Sequence, residues 1–375
     1  MANIAFGTQR ISVHNPQHIQ ALKEAIRSGI TMIDTSCSYL NGEAHRAIAL
    51  AFREFDDDIR DNIEIVTKFN IMGKPIFEQY EDAIKDLQVK KLDCFLIENI
   101  ESLVIDLIKN ETNVDDKLDE INRVIYDAFL DLESLVQDLK ISSYGISAEN
   151  FSQEHMSEQF IPYEDLITLA DSASQEIKND THSFTTIELP INILERTGLQ
   201  CAEWAKENGL KVIANRPLNA LHNDLMYRLA DYSESNEYYH HLNEMLDVTD
   251  TEMLRPLFNL FEQLDISKHK FGWIGDYENF LYAQALPHMK NTLKVIDEKN
   301  RETMLNFIEL FLTEYQQMVK YECSKNTHIA LKEILSDCKE ALQICAIDFL
   351  KSSHDIDFIA VGMRKPSYVS EILAI

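Results

Sequence analysis

The chain has 375 residues, of which 45% are hydrophobic, and a formal net charge of −28 at pH 7. A field of this sign repels nucleic acids and anionic membranes, so we exclude both as partners. It also repels anionic cofactors, so a nucleotide site must carry its own basic residues. The sequence lacks the roughly 18 consecutive apolar residues of a membrane span, and its start does not resemble a signal peptide.

The six cysteines, at positions 37, 94, 201, 323, 338 and 345, form no C-x-x-C pair and no metal-ligand spacing. We predict reduced, buried thiols and a cytoplasmic location, because cytosolic thiols stay reduced. Cys37 could be reactive, but ordinary packing is favoured. His240, His241 and Glu244 have a helical metal-ligand spacing. An ordinary packed helix is favoured there too, and we predict no metal site.

Eight short apolar segments rich in β-branched residues alternate with helical patterns along most of the chain. The apolar segments are Ile4–Thr8, Thr31–Thr35, Ile63–Thr67, Asp93–Ile97, Ser143–Ser147, Thr186–Pro190, Val212–Arg216 and Phe358–Gly362. The helical patterns are Pro16–Ser28, Ala44–Phe55, Phe77–Leu87, Val114–Leu139 and Leu199–Asn208. This alternation predicts a parallel sheet, and eight units predict an α/β fold closed into a (β/α)₈ TIM barrel. Gly29 and Gly209 stand where left-handed helix ends are expected.

About 140 residues separate the seventh segment from the eighth, far more than a barrel needs. Helical patterns fill this interval: Thr251–Leu264, Tyr277–Val295, Arg301–Lys320 and Ile329–Leu350. We assign Asp337–Leu350 to the helix before the eighth strand. The sequence therefore predicts a barrel over 1–216 and 337–375 and a helical insertion subdomain over 217–336. The insertion could cover the barrel mouth, or bind a protein partner or a second copy of the chain.

Polar side chains follow several predicted strands, where barrel enzymes carry their active sites. Asp34 ends the second segment, Tyr39 follows five residues later, Lys68 ends the third and Glu98 the fourth. A lysine lowers the pKa of a neighbouring phenol, and an aspartate holds the lysine in place. These four residues therefore predict a proton-donor site.

Seven motifs in order resemble those of the aldo-keto reductases. They are I-A-F-G-T (4–8), I-D-T-S-C-S-Y-L-N-G-E (33–43), V-T-K (66–68), L-D-C-F-L-I-E (92–98), Y-G-I-S (144–147), A-N-R-P-L-N-A (214–220) and A-V-G-M-R-K-P-S-Y-V (360–369). The resemblance covers 4–217 and about 337–375, and the insertion has no counterpart in the common family plan.

The resemblance implies an NAD(P)H-dependent oxidoreductase that reduces a carbonyl or conjugated double bond of a small molecule by hydride transfer. It implies that Tyr39 is the general acid and that Lys68 and Asp34 support it. Glu98 replaces the usual histidine, as in members that reduce a steroid carbon–carbon double bond. A buried glutamate could stay protonated and donate to a carbonyl.

The resemblance also implies a set of cofactor-binding residues: Gly7, Thr8, Ser147, Glu188, Asn215, Arg216, Pro217, Leu218, Gly362, Met363, Arg364, Lys365 and Glu371. Arg364 and Lys365 match the basic residues that meet the adenosine phosphate, so we expect NADPH rather than NADH. Four positions depart from the family pattern: Ala148 replaces an asparagine, Glu188 a glutamine, Asn215 an aromatic residue and Ile372 an asparagine.

These departures keep a second class of function open. In that alternative the chain is a catalytically silent barrel, acting as an interaction or regulatory protein through its insertion. The intact set of Asp34, Tyr39 and Lys68 favours the enzyme. Binding of NADPH separates the two alternatives.

Overall fold

Eight parallel strands close into a barrel in the computed structural model, which describes residues 1–375. The strands are β1 (Asn3–Gly7), β2 (Met32–Asp34), β3 (Glu64–Asn70), β4 (Leu92–Glu98), β5 (Ile141–Ser147), β6 (Phe184–Pro190), β7 (Lys211–Asn215) and β10 (Phe358–Gly362). Around the ring their order is β1-β10-β7-β6-β5-β4-β3-β2. The predicted TIM barrel and its eight strand segments are confirmed.

Helices connect successive barrel strands, as the alternation of patterns predicts. They are α1 (Pro16–Arg27), α2 (Glu43–Phe52), α3 (Asp57–Arg60), α4 (Ile76–Leu87), α5 (Ile100–Lys109), α6 (Val114–Gln137), α7 (Leu166–Ile177), α8 (Gly198–Glu207) and α14 (Leu342–Lys351). A last helix, α15 (Pro366–Leu373), follows the final strand. Gly29 and Gly209 follow α1 and α8 with positive φ, and their amides close the last helical turns. Both predicted left-handed helix ends are confirmed.

Apolar side chains from six of the barrel strands form one buried cluster. This cluster contains Ala5, Met32, Val66, Cys94, Leu96, Ile213 and Ala360, all buried. A packed apolar interior leaves the carboxyl ends of the strands as the place where polar chemistry can collect.

Contacts within the chain divide it into two compact units, Met1–Pro217 with Ala346–Ile375, and Leu218–Cys345. The second unit holds a hairpin, β8 (Asn219–His222) and β9 (Leu225–Arg228), followed by helices. These are α9 (Tyr238–Thr249), α10 (Arg255–Ser267), α11 (Ile274–Phe280), α12 (Leu286–Thr292) and α13 (Glu298–Ala330). The helices share a core built around α13, which is what a separate folding unit needs.

The predicted helix Asp337–Leu350 is wrong at its start, because α14 begins only at Leu342. Residues 331–341 form turns, although Leu331 and Leu335 keep a helical spacing and are buried. Apolar spacing alone cannot separate a helix from a turn segment that buries the same residues. The predicted helix Tyr277–Val295 is not one continuous α-helix. A π-helical turn at Leu281–Ala285, just before Pro287, interrupts it.

The expectation of six reduced thiols is wrong for two of them. Cys338 and Cys345 form a disulfide with a Cα–Cα distance of 5.8 Å. The turns between α13 and α14 bring them together, and their seven-residue separation resembles no familiar motif. The other four cysteines are free.

None of the helices has the length and apolar character required to cross a bilayer.

Candidate active site

Three of the four predicted catalytic residues lie on neighbouring parallel strands, near their carboxyl ends. Asp34 is the last residue of β2, and Glu98 is the last residue of β4. Lys68 lies on β3, two residues before the strand ends at Asn70. Asn70 pairs with Glu98 and Asp34 with Val66, so the barrel register brings these side chains to one end.

Lys68 is the centre of the site and is 1% exposed. Its ammonium nitrogen forms a charged hydrogen bond with a carboxylate oxygen of Asp34. The same nitrogen donates to the carbonyl oxygen of Thr35 at 3.2 Å. On its other side it lies 3.0 Å from Glu188 Oε2, an ion pair that lacks the geometry of a hydrogen bond. Lys68 is therefore held between two carboxylates.

Glu188 reaches Lys68 from β6 and is also 1% exposed. Its other oxygen, Oε1, accepts a hydrogen bond of 2.9 Å from the side-chain amide of Asn215 at the end of β7. Glu188 Oε2 and Asn215 Oδ1 are buried and accept no hydrogen bond from the protein. Glu188 Oε2 therefore has only the ammonium of Lys68 beside it, and Asn215 Oδ1 has no donor.

Glu98 is positioned by the turn that follows β2. Ser36 Oγ donates to Glu98 Oε1 at 2.6 Å, and Ser36 Oγ lies 2.8 Å from Ser38 Oγ. The amide of Ser38 donates to Ser36 Oγ, which fixes the turn. Glu98 is thus oriented by a hydroxyl but carries no ion pair with a lysine or an arginine.

Tyr39 lies in this turn, with Lys68 Nζ 5.5 Å from its ring centroid. Burial raises the pKa of the phenol, the charge of Lys68 opposes that rise, and the nearby carboxylates add to it. The prediction that Lys68 lowers this pKa holds for the lysine's own effect but is wrong for the sum. Burial, together with the three nearby carboxylates, outweighs the charge of Lys68, so Tyr39 stays protonated at neutral pH.

The charges of Asp34 and Lys68 depend on each other. Burial and the Glu188 carboxylate raise the pKa of Asp34, and Lys68 opposes them. Burial also disfavours the ammonium form of Lys68, but Asp34 and Glu188 outweigh this effect and raise its pKa well above the usual value. Lys68 is therefore a fixed positive charge.

Several predicted cofactor residues surround the first and last strands of the barrel. Gly7 pairs with both Asp34 and Gly362 across the sheet. Thr8 is fully buried, and its hydroxyl donates to the carbonyl oxygen of Asp34 at 2.9 Å. Met363, the residue after Gly362, is fully buried. These residues join the end of β2 to the ends of β1 and β10.

Arg364 and Lys365 lead from β10 into α15, with Lys365 at its N-cap. Arg364 is partly exposed, and Lys365 is exposed. Burial and the charge of Arg364 lower the pKa of His18 on α1, so the guanidinium lies near that helix. Glu371 and Ile372 both lie on α15, and Ile372 is buried. Two basic residues at a helix N-terminus are suited to an anion.

The other predicted cofactor residues differ in their surroundings. Ser147 ends β5 and pairs with Glu188. Arg216 follows β7 and forms ion pairs with Glu195 at 2.7 Å and Glu149 at 3.3 Å. Pro217 is buried at the end of the barrel unit, whereas Leu218 belongs to the second unit.

No sequence pattern indicated Glu149 and Glu195, which hold Arg216, or Ser36, which orients Glu98. Their roles depend on contacts between residues up to 67 positions apart.

Cys37 packs beside the site, where burial and Glu98 raise the pKa of its thiol to about 11, as expected for a packed thiol. In the second unit, the potential ligand atoms of His240, His241 and Glu244 lie within 4.8 Å of one another on α9.

The sequence matches the aldo/keto reductase family model across residues 3–375. This chain belongs to the aldo/keto reductase family. No curated protein matches it.

Solved structures of the family are similar to the chain at low identity. An aldo/keto reductase from Klebsiella pneumoniae, crystallised with NADP and acetate, is 21% identical over 57% of this chain and 64% of its own, with a TM-score of 0.39. An aldo-keto reductase from the same organism, in complex with NADPH, is 23% identical over 57% and 63%, with a TM-score of 0.38. The chain thus spans just under two thirds of these two proteins.

A glycerol dehydrogenase from Gluconobacter oxydans is 15% identical over 98% of this chain and 84% of its own. Its TM-score is 0.49.

Proposed function

We propose that this chain is an NADPH-dependent reductase of a small-molecule carbonyl or conjugated double bond. The observation that carries the proposal is the buried cluster in which Lys68 joins Asp34 and lies beneath the ring of Tyr39. A phenol, a fixed ammonium and a carboxylate at one barrel end form a proton-donating site. Family membership supports the same reaction class.

The residues present fit a nicotinamide cofactor. Asn215 Oδ1 is a buried acceptor without a protein donor, and Glu188 Oε2 has only the ammonium of Lys68 beside it. A carboxamide nitrogen carries two donors for such acceptors. Arg364 and Lys365 would hold the adenosine phosphate at the start of α15. A bound reduced nicotinamide supplies the hydride.

The chain's own residues handle the proton. Tyr39 donates it to the substrate oxygen, or to the carbon of a conjugated double bond, and becomes a phenolate. Lys68 stabilises that phenolate through its charge, and Asp34 with Glu188 keeps Lys68 in place. Glu98 faces the same site and orients the acceptor together with Ser36. We propose that Glu98 and Ser36 together take over the role of the family's usual histidine.

Two departures from the family pattern compensate for each other. Glu188 stands where the family has a glutamine and Asn215 where it has an aromatic residue. The side-chain amide of Asn215 donates to Glu188 at 2.9 Å. The site therefore has a hydrogen-bonded polar pair where the family has an aromatic ring that stacks on the nicotinamide. This pairing favours an altered cofactor site over a degraded one.

A second candidate is an interaction protein that acts through 217–336. An apolar groove of about 770 Å³ in the second unit favours it, lined by residues of α10 and of the segment from α11 to α12. Pro256, Leu260 and Phe280 supply apolar surface, and Arg255 and His288 border it. A protein partner and a second copy of this chain are both compatible with such a groove.

The test is to titrate the purified chain with NADPH and then add a panel of small aldehydes, ketones and enones. The proposal expects saturable binding and loss of NADPH absorbance with at least one substrate. If the chain binds no NADPH at millimolar concentration, the reductase is excluded and the interaction protein is favoured.

Cofactor choice is tested at the basic pair. Arg364→Ala should weaken NADPH binding about 10- to 100-fold and NADH binding much less, since a charge-assisted contact contributes about 1.5–3 kcal/mol. Arg53→Ala, at the exposed end of α2, is the control and should change neither affinity. Equal losses for NADPH and NADH on Arg364→Ala would contradict the assignment.

A further inference from the structure

Arg216 stands directly after β7, at a position where the family resemblance implies a contact with the cofactor. Its backbone φ is +51°, a left-handed conformation that a residue other than glycine keeps only when its surroundings hold it. Its side chain is 24% exposed and lies against two carboxylates, Glu195 at 2.7 Å and Glu149 at 3.3 Å. The charge of Arg216 is therefore already matched within the protein.

The two carboxylates belong to the segments that follow the two preceding strands. Glu149 begins the short 3₁₀ turn Glu149–Ser152 after β5, and Glu195 lies in the segment 191–197 after β6. These two strands and β7 are neighbours in the ring, in the order β5-β6-β7. One guanidinium therefore joins the segments that follow three adjacent strands, at the carboxyl ends where the proposed site lies.

Asn192 holds the same junction from the β6 side. It is fully buried, and its side-chain nitrogen donates to Glu195 Oε2 at 2.7 Å and to the carbonyl oxygen of Arg216 at 3.4 Å. Its side-chain oxygen accepts from the amides of Leu194 and Glu195. The backbone and the side chain of Arg216 are therefore both tied to the segment after β6.

Glu149 is held in turn by the segment after β4. Its backbone amide donates to Oε1 of Glu101, in the first turn of α5, at 2.6 Å. We call Arg216, Glu149, Glu195, Asn192 and Glu101 the Arg216 network. Its contacts are continuous from α5 to the end of β7, so no member moves without disturbing the others.

The network ends beside the atoms assigned to the cofactor. Asn215 precedes Arg216 in the chain, and its side chain donates to Glu188, which contacts Lys68. Asn215 Oδ1 is the buried acceptor assigned to the carboxamide. Such an acceptor works only when it is held within about 0.5 Å of its place. Loss of the Arg216 network would free the backbone next to Asn215.

We infer that Arg216 is a positioning residue, which aligns Asn215 and Glu188 with the nicotinamide by joining the segments after β5, β6 and β7. The alignment rests on the proposed function, whereas the network itself does not. The competing role is a direct contact between Arg216 and the cofactor phosphates, since its Nε atom is buried and donates to no protein atom.

The first experiment compares binding of NADPH with binding of 2′-phospho-ADP-ribose, which has the same phosphates but lacks the nicotinamide. Arg216→Gln should weaken NADPH binding about three- to tenfold, the effect of losing one hydrogen bond, and leave 2′-phospho-ADP-ribose unchanged. Equal weakening of both ligands would show that Arg216 contacts the phosphates and would overturn the inference.

Glu195→Gln separates the two roles by sign. The change weakens the network and leaves the charge of Arg216 less neutralised. Positioning predicts weaker NADPH binding, whereas a phosphate contact predicts tighter binding of both ligands, because a competing carboxylate is gone. The losses of Arg216→Gln and Glu195→Gln should not add in the double variant, since both break the same contact. Glu195→Gln keeps the shape of the side chain, so it decides the question even if Arg216→Gln does not fold.

Arg123→Gln is the matched control. Arg123 also pairs with two carboxylates, Glu120 at 2.6 Å and Asp127 at 3.1 Å, but on the exposed surface of α6. The control removes the same charge and the same number of ion pairs as Arg216→Gln. It should change the affinity for neither ligand, and a loss of NADPH affinity equal to that of Arg216→Gln would contradict a specific role for Arg216.

Amide hydrogen exchange of the ligand-free chain tests the network without a cofactor. Arg216→Gln should accelerate exchange in 148–153 and 191–197, and Arg123→Gln should not. If the wild-type chain binds no NADPH, the proposed reductase and the positioning role both fail, although accelerated exchange would still support the network. If the wild type turns NADPH over but Arg216→Gln changes neither exchange nor affinity, the reductase stands and the inference is overturned.

Discussion

Lys68 differs from a lysine paired with one aspartate, because a second buried carboxylate, Glu188, contacts it from the opposite side of the barrel. This arrangement fixes the ammonium, while burial and the nearby carboxylates keep the pKa of Tyr39 above its usual value. The phenol therefore stays protonated over the whole neutral range. In the proposed mechanism the phenolate formed after donation depends on Lys68 for stabilisation, so any change that frees Lys68 should act first on the chemical step.

His45 is a buried histidine behind the site, and its neutral form contributes to stability. Its Nε2 atom lies 2.8 Å from Thr67 Oγ1, and burial, with help from Arg46 and Lys68, lowers its pKa from 6.5 to about 4. A lowered pKa gives stability that is complete above about pH 6.5 and is lost as the pH falls toward 4. Between pH 7 and pH 5 this histidine should account for about 2 kcal/mol of lost unfolding free energy.

The measurement compares denaturant unfolding of the wild type and His45→Gln at these two pH values. The variant should lose about 2 kcal/mol less than the wild type on acidification. His14→Gln is the control, because His14 is exposed at the surface. Identical pH dependence for wild type and His45→Gln would show that His45 titrates normally.

At the scale of elements, β5 and β6 approach closely where β5 carries Gly145. A Cβ atom at this position would lie 2.0 Å from the carbonyl oxygen of Thr186. Gly145→Ala should therefore destabilise the barrel by about 1–3 kcal/mol or more, since backbone must move. Gly362→Ala, whose nearest neighbour would be 4.0 Å away, should change the unfolding free energy little. Equal effects of the two variants in thermal unfolding would contradict the close approach.

The barrel strands were predictable because each is a short apolar run between helical patterns. The number of these runs, eight, also matches the number of strands that closes the barrel. The hairpin of β8 and β9 was not predicted. Its two-residue turn consists of Asn223 and Asp224, which both adopt the positive φ that such a turn requires. The disulfide at Cys338 could not be predicted, because its partner is set by turns without sequence periodicity.

The candidate site was predictable only in part, for a related reason. Asp34, Lys68 and Glu98 follow from strand order, because parallel strands bring their ends together. The contact of Glu188 with Lys68 joins residues 120 positions apart across the barrel interior, and no local pattern encodes it. Glu188 was predicted only as a cofactor residue, so its position beside Lys68 was not foreseen.

At the scale of the molecule, the second unit carries its own core, with Phe311 of α13 fully buried among Tyr238, Phe261 and Tyr315. Phe311→Ala should cost about 3–5 kcal/mol within that unit. If the two units are separate domains, amide hydrogen exchange should accelerate across 218–345 while the barrel amides keep their protection.

Leu310→Ala is the matched control, since Leu310 precedes Phe311 on the same helix and is 50% exposed. It should change exchange by little, as surface substitutions usually do. Equal acceleration in both units on Phe311→Ala would show one cooperative domain and contradict the predicted division at 217–336.

The most direct test of the central claim is single-turnover hydride transfer by Tyr39→Phe. This substitution removes only the phenolic hydroxyl. The rate with any carbonyl or enone that the wild type reduces should fall about 10²- to 10⁴-fold. NADPH affinity should stay unchanged, because Tyr39 is assigned no contact with the cofactor. An unchanged rate in Tyr39→Phe would contradict the assignment of Tyr39 as the acid, and with it the mechanism built on Lys68.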